Sequence, residues 1–251
     1  MFIHRPPMSK PNRILLILDL NGVLVHVANK LDLPLGFKAD TFISGKAIIR
    51  RPFCDDFLKF CFERFYVGVW SSRKKLNLVR LLDFIMRERR YQLAFCWDQS
   101  HCTATELHTF DNIDKPVMLK EMVKLWDKDN PNLPWERREY NESNTMMLDD
   151  YPYKALFNSA HTAIFPTSYN IQNENDNSLG HGGDIRMYLE GLATRKNVQK
   201  YIEQHPFGQQ ALTESNPSWP HYLQLINSCL HAPFGLDCEN WQNHFYSYIL
   251  L

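Results

Sequence analysis

Arg13-Ile14-Leu15-Leu16-Ile17-Leu18-Asp19-Leu20-Asn21-Gly22-Val23-Leu24 is the stretch on which the reading of this chain turns. Five apolar residues, Ile14 to Leu18, run without interruption into an aspartate. A run with no polar alternation suits a strand buried on both faces, as in a parallel sheet. Asp19 then stands at the carboxyl end of that strand, the edge at which open α/β sheets bind ligands. A carboxylate placed there is a metal ligand, a nucleophile or a strand-end residue without chemistry. Asn21-Gly22 supports a competing reading. Both residues tolerate positive φ, and the pair between two apolar runs is a strong hairpin signal. The rest of the chain decides between the two.

Downstream, apolar runs alternate with helical periodicity. Arg51-Pro52 opens a helix whose apolar face carries Phe53, Phe57, Phe60, Cys61 and Phe65. Pro52 suits a first turn, and Asp55 and Asp56 suit its positive end. Tyr66–Trp70 is a second apolar run, closed by Ser71-Ser72. A helix follows from about Lys74 to Arg89, with Leu78, Leu81, Leu82 and Ile85 inward. Leu93–Trp97 is a third strand candidate. Pro116 to Trp126 is predicted as a helix carrying Lys120, with Leu119, Met122 and Val123 inward. Residues 127–144 are polar and read as a long surface loop. Thr145–Leu148 is a strand closed by Asp149-Asp150, and a short helix starts at Tyr151-Pro152-Tyr153. Thr162–Phe165 is the last strand, 168–183 a loop rich in Asn, Ser and Gly, and 184–204 a closing amphipathic helix.

This alternation predicts an α/β, doubly wound parallel sheet with helices on both faces. A small inserted β-hairpin region is expected between residues 24 and 50. One domain is expected over 13–208. Residues 209–251 read as an aromatic tail, with clusters at Trp219 to Tyr222, Trp241 and Phe245 to Tyr248.

The bulk numbers exclude some classes. In 251 residues, Lys plus Arg and Asp plus Glu are 28 each, so there is no basic field for a nucleic acid. Six cysteines without C-x-x-C spacing read as reduced thiols rather than a zinc or redox motif. No apolar run of about 18 residues exists to span a membrane. The first strand begins near Arg13, which leaves no room for a leader. Nucleus or cytoplasm is the expected location, or the mitochondrion if a leader is missing. Nothing in the sequence assigns an oligomeric state.

Three strands thus end in Asp19, Ser71 and the pair Asp149-Asp150, at one edge of a parallel sheet, with Lys120 nearby. A carboxylate cluster suits a hard cation such as Mg²⁺, which takes oxygen ligands and keeps several waters. The cation and a lysine neutralise phosphate oxygens, a serine hydroxyl donates to another, and a carboxylate can attack phosphorus.

Four ordered motifs carry a resemblance. Asp19-Leu20-Asn21-Gly22-Val23-Leu24, Trp70-Ser71-Ser72-Arg73, Lys120-Glu121 and Leu148-Asp149-Asp150-Tyr151-Pro152 are similar to those of the haloacid-dehalogenase superfamily. Within it the chain resembles the RNA polymerase II C-terminal-domain phosphatases and their NIF-like and Dullard relatives. Phe95–Cys102, Tyr140–Thr145 and Asn177–Gly180 resemble a plant branch of that group. The resemblance implies a phosphatase acting on a phosphorylated protein or peptide. It makes Asp19 the nucleophile and implies Mg²⁺ held by Asp19, the backbone carbonyl of Asn21 and Asp150. Asp149 would orient metal-bound water, and Ser71 and Lys120 would bind the phosphoryl oxygens. One residue departs: where the family has a second aspartate as general acid, this chain has Asn21. An amide delivers no proton, so weakened turnover is expected. The alternative is a catalytically silent adaptor, for which a mitochondrial presequence import receptor of the same fold is the pattern.

Overall fold

The computed structural model describes residues 13–109 and 112–230. In chain order come β1 (Leu15–Leu18), β2 (Val25–Asn29), β3 (Thr41–Ile43) and β4 (Lys46–Arg50). Next are α1 (Cys54–Arg64), β5 (Tyr66–Trp70), α2 (Lys75–Ile85) and β6 (Cys96–Trp97). β7 (Thr103–Thr109), β8 (Asn112–Leu119), α3 (Val123–Trp126), β9 (Thr145–Leu148) and β10 (Ala163–Ile164) follow. α4 (Asp184–Leu192), α5 (Val198–Gln204) and α6 (Trp219–Leu230) close the described part.

Five strands form a parallel sheet in the order β10-β9-β1-β5-β6. β1 is central, with Leu18 paired to Val69 on one side and to Leu148 on the other. Its four residues are fully buried, which is why the run has no polar member. Asn21-Gly22 does turn the chain: Gly22 has φ +78°, and its N–H donates to the Val25 carbonyl at 2.8 Å. The turn is not the loop of a hairpin, because both edges of β1 are taken by β5 and β9. The chain instead enters a separate antiparallel sheet of order β2-β4-β3, in the inserted region.

The two faces of the sheet divide by residue parity. Leu16, Leu18, Val67, Val69, Met146 and Leu148 share one core with α1, α2, α4 and α5. Leu15, Ile17, Trp70 and Met147 share the other with α3 and with Trp135 and Tyr140. Handedness accounts for this. The steps β1 to β5 to β6 run in one direction and put α1 and α2 on one face; the return to β9 reverses and crosses the opposite face. The order of strands therefore switches between β1 and β9, the place where open sheets hold ligands.

Several predicted elements change. Pro116–Leu119 is the end of β8, not the start of a helix, and the helix is only Val123–Trp126. Val117 and Leu119 pack into one cluster and Met118 into another, so burial on both faces imposes the period of a strand. The β7–β8 hairpin was not anticipated. Phe53 lies ahead of α1, half exposed in a left-handed conformation. α2 stops at Ile85, and Arg87, at φ +49°, leads into a 3₁₀ stretch, Arg87–Gln92. The strand expected over Leu93–Trp97 shrinks to Cys96–Trp97. The expected closing helix divides because the Asn197 side chain accepts from the Lys200 N–H and caps a new start. The loop 127–144 is less superficial than its polarity suggests, since Leu133, Trp135 and Tyr140 are buried.

Past Gly208, α6 lays Tyr222 and Leu225 on Val117, Leu119 and Tyr153. Trp241 and Phe245–Tyr248 lie outside the described residues. Among the described residues no helix is long and apolar enough to cross a membrane.

Candidate active site

β1 and β9 end side by side, so their next residues meet at the switch point. The Asp19 N–H donates to the Leu148 carbonyl at 3.0 Å, and the Leu20 N–H donates to Asp19 Oδ1 at 2.8 Å. Asp149 is fully buried, and its Oδ1 accepts from the Tyr151 N–H at 3.0 Å. Asp150 Oδ2 accepts from the Ser168 hydroxyl, while its buried Oδ1 has no hydrogen-bond partner. One oxygen from each of Asp19, Asp149 and Asp150 lies within 4.8 Å of the others. Among the described residues no other group of three metal-ligating side chains converges this way.

Gly22 is required for that convergence. A Cβ at this position would stand 1.9 Å from Asp150 Oδ2, and the backbone is left-handed. The turn after β1 thus presses directly on Asp150. Asn21 Oδ1 beside it is buried and unpartnered.

Two lysines close the pocket. Lys120 follows β8, and its Nζ donates to Asp149 Oδ2 at 2.6 Å and stands 3.4 Å from Asp19 Oδ1. Lys154 lies in the 3₁₀ turn Pro152–Ala155. Its Nζ donates to Asp149 Oδ1 at 2.8 Å and to Asp19 Oδ2, and lies 3.6 Å from Asp150 Oδ1. The backbones are tied as well, with the Lys120 N–H donating to the Lys154 carbonyl at 2.7 Å.

Residues 14–199 match the family of NLI interacting factor-like phosphatases. The chain belongs to that family. An uncharacterised FCP1 homology domain-containing protein of Schizosaccharomyces pombe is 30% identical over 200 residues, 78% of each chain. Two solved structures of the RNA polymerase II CTD phosphatase Fcp1 are also similar. One is 12% identical with a TM-score of 0.42, and the fission-yeast enzyme bound to beryllium fluoride is 13% identical with a TM-score of 0.43. In both, the match covers 87% of this chain and 62% of the Fcp1 chain.

Within the site the carboxylates divide electrostatically. Burial alone would raise Asp19, but Lys120 and Lys154 outweigh it and hold the carboxyl well below the usual range. Burial pushes Asp150 up to about 7, with Asp149 and Asp19 adding and Lys154 opposing. Burial works against the charge of Lys154, yet the three aspartates raise it well above its ordinary value.

Ser71 lies two residues past Val69, at the end of the strand next to β1. It is buried, and its Oγ accepts from the Arg73 N–H at 3.3 Å; the neighbouring Ser72 is only half buried. Arg73 is half buried, and its Nε is buried without a hydrogen-bond partner. Burial draws its pKa below the ordinary value while Asp19 opposes that shift, so it lies within electrostatic reach of Asp19. Lys124, one turn on from Lys120, points elsewhere: its Nζ donates to Thr103 Oγ1 at 2.6 Å and faces Glu121 at 3.4 Å. His101 stacks on Trp97 at 4.8 Å.

The structure therefore brings Asp19, Lys120, Asp149 and Asp150 together, sets Asn21 in the adjoining turn, and places Ser71 one strand away. Sequence reasoning missed Lys154 and Arg73. The available signal for Lys154 was its i,i+4 spacing from Asp150 in a helical turn. Ser168 and the buried pair Arg51–Asp176 were missed too. Arg51 donates to both Asp176 oxygens at 2.9 and 2.8 Å and to the Val23 carbonyl at 3.3 Å. That pair anchors the 168–183 loop, which carries Ser168 to Asp150.

Proposed function

We propose that the protein is a Mg²⁺-dependent phosphatase acting on phosphoserine or phosphothreonine in a protein or peptide. The convergence of ionised Asp19 with Asp149, Asp150 and Lys120 at the switch point carries this reading. Asp19 attacks phosphorus, the P–O bond to the substrate breaks, and the side-chain oxygen leaves. Water then attacks the aspartyl-phosphate, releases inorganic phosphate and restores Asp19. Three buried carboxylates, one with an oxygen that accepts no hydrogen bond, fit a hard divalent cation. Asp19, Asp150 and the Asn21 carbonyl would hold it, with Asp149 orienting its water. When bound, Mg²⁺ supplies positive charge against the phosphoryl oxygens.

The chain's own residues do the rest. Lys120 helps keep Asp19 ionised, the form that attacks. Ser71 and Arg73 face the incoming phosphoryl oxygens as donors. Arg73 is suited to this because its Nε is buried and uncommitted, whereas both lysines are already bound to carboxylates. Asn21 can donate a hydrogen bond to the leaving oxygen but no proton, which slows departure of an alkoxide. Asn21 is also the observation that favours a second reading, an adaptor that binds phosphorylated protein without turnover. Hydrolysis of p-nitrophenyl phosphate by the purified protein, with and without Mg²⁺, tests the proposal. Turnover that needs Mg²⁺ and vanishes in Asp19→Asn supports it; absent turnover favours the second reading, and Mg²⁺-independent turnover contradicts the metal assignment.

A further inference from the structure

Lys154 stands where a divalent cation would have to stand. Its Nζ reaches Asp19 Oδ2 and Asp149 Oδ1 by hydrogen bonds and Asp150 Oδ1 at 3.6 Å, touching the same three side chains that form the candidate metal group. The residue is buried, and its turn is fixed. Its N–H donates to the Tyr151 carbonyl at 3.1 Å, its carbonyl accepts from Lys120, and Tyr153 beside it stacks on Tyr222 of α6 at 6.0 Å. The backbone is therefore pinned, so any departure of the ammonium has to come from the four-carbon stem.

Charge counting separates two states of the pocket. Once all three carboxylates are ionised, as ligation of a cation requires, they leave one net negative charge against Lys120 and Lys154. Against Lys120 alone they leave two, the charge a divalent cation neutralises. A cation added with both lysines in place would turn a buried pocket net positive, which a low-dielectric site opposes. Space argues the same way, since Mg²⁺ demands oxygens at about 2.0–2.1 Å and cannot share them with an ammonium at hydrogen-bond distance.

We propose that Lys154 is a built-in cation occupying the metal position, and that a divalent cation enters only when the Lys154 ammonium leaves the carboxylates. The proposal rests on the metal assignment made above. Under it, the lysine holds the acidic cluster together when metal is scarce and sets how much metal is needed to load it.

The test is metal binding, read by thermal unfolding of the full chain in rising MgCl₂ or MnCl₂ and by calorimetric titration. The proteins are wild type, Lys154→Met, Lys154→Gln, Lys154→Arg and the double variant Lys154→Met with Asp150→Ala. Lys154→Met and Lys154→Gln should respond at concentrations about tenfold or more below wild type, since binding to the folded state shifts melting by mass action. Lys154→Arg keeps the charge and should stay as weak as wild type. The double variant should lose the response, which places the metal at the aspartates. A Lys154→Met that folds only with metal also supports the proposal, one cation having replaced the other. Equal or weaker binding in both Lys154→Met and Lys154→Gln overturns it, as does a Lys154→Met that stays unfolded at all metal concentrations beside a Lys154→Gln no tighter than wild type. The outcome is separable from the phosphatase reading. Mg²⁺-dependent turnover in wild type with no gain in Lys154→Met removes only the role of Lys154. Tighter metal without any phosphate turnover removes only the phosphatase reading.

Discussion

Asn21→Asp tests whether one amide limits this site. The substitution is nearly isosteric: it exchanges the amide Nδ2 for a second oxygen and keeps Oδ1, which is buried and makes no hydrogen bond. The new carboxyl would sit next to Gly22, which lies against Asp150, and two residues from Asp19. Burial and neighbouring negative charge favour its protonated form, the form a proton donor needs. General acid–base help is worth about 10²–10⁴-fold. The lower bound corresponds to about 2.7 kcal/mol of barrier, at about 1.36 kcal/mol per decade. A serine alkoxide leaves poorly and gains the full effect; an aryl oxide leaves as a weak base and gains less. Steady-state kinetics on a phosphoserine peptide and on p-nitrophenyl phosphate should therefore show kcat rising roughly 10²-fold or more on the peptide. The gain on the aryl ester should be smaller. A folded, Mg²⁺-binding Asn21→Asp no faster than wild type on the peptide would refute the reasoning and place the proton donor elsewhere.

Three further outcomes are expected. Arg73→Met should raise KM for aryl phosphate and weaken inhibition by inorganic phosphate about tenfold or more, the scale of a hydrogen bond to a charged group; unchanged inhibition would take Arg73 out of the phosphate site. Asp176→Ala leaves Arg51 buried and unpaired, so denaturant unfolding should show a loss of about 3–5 kcal/mol, and a loss near zero would mean the pair does not anchor the 168–183 loop. Asp150, raised to about 7, keeps a proton in the folded protein that the unfolded chain has released from roughly pH 4 upward. Stability should then fall as pH rises from about 4 to 7, by at most about 1.4 kcal/mol per unit, in metal-free buffer. Asp19 contributes with the opposite sign, but only as pH falls below about 4, because its folded-state value is depressed. Asp150→Asn should flatten the slope between pH 4 and 7, and an unchanged slope would assign that proton to another group.

The parts of this fold legible in sequence are those whose cause is local. Ile14–Leu18 and Thr145–Leu148 read as strands because burial on both faces demands unbroken apolar runs, and their ends delivered Asp19 and Asp149-Asp150 to one place. Val117-Met118-Leu119 obeys the same rule, yet its sequence points to a helix, since Leu119 and Met122 also fit a helical spacing. The two clusters that claim alternate residues of that run lie far from it in sequence. Lys120 was therefore identified as a site residue and placed on the wrong element. Lys154, Arg73 and Arg51–Asp176 act across the fold, at separations as large as 125 residues for the last pair, and no local pattern marks them. The residues 127–144 mislead for a related reason: polar neighbours hide Trp135 and Tyr140, which roof the second face of the sheet.

The central claim is phosphoryl transfer to Asp19, and trapping the covalent enzyme tests it most directly. Mixing wild type with p-nitrophenyl phosphate and Mg²⁺, quenching in acid and weighing the intact protein should reveal the mass of one added phosphoryl group. Peptide mapping should place it on Asp19, and Asp19→Asn should carry none. Because Asn21 supplies no base for the hydrolytic step, the label should be more abundant in wild type than in Asn21→Asp. Turnover without any label on Asp19, or a label that survives Asp19→Asn, would contradict the account.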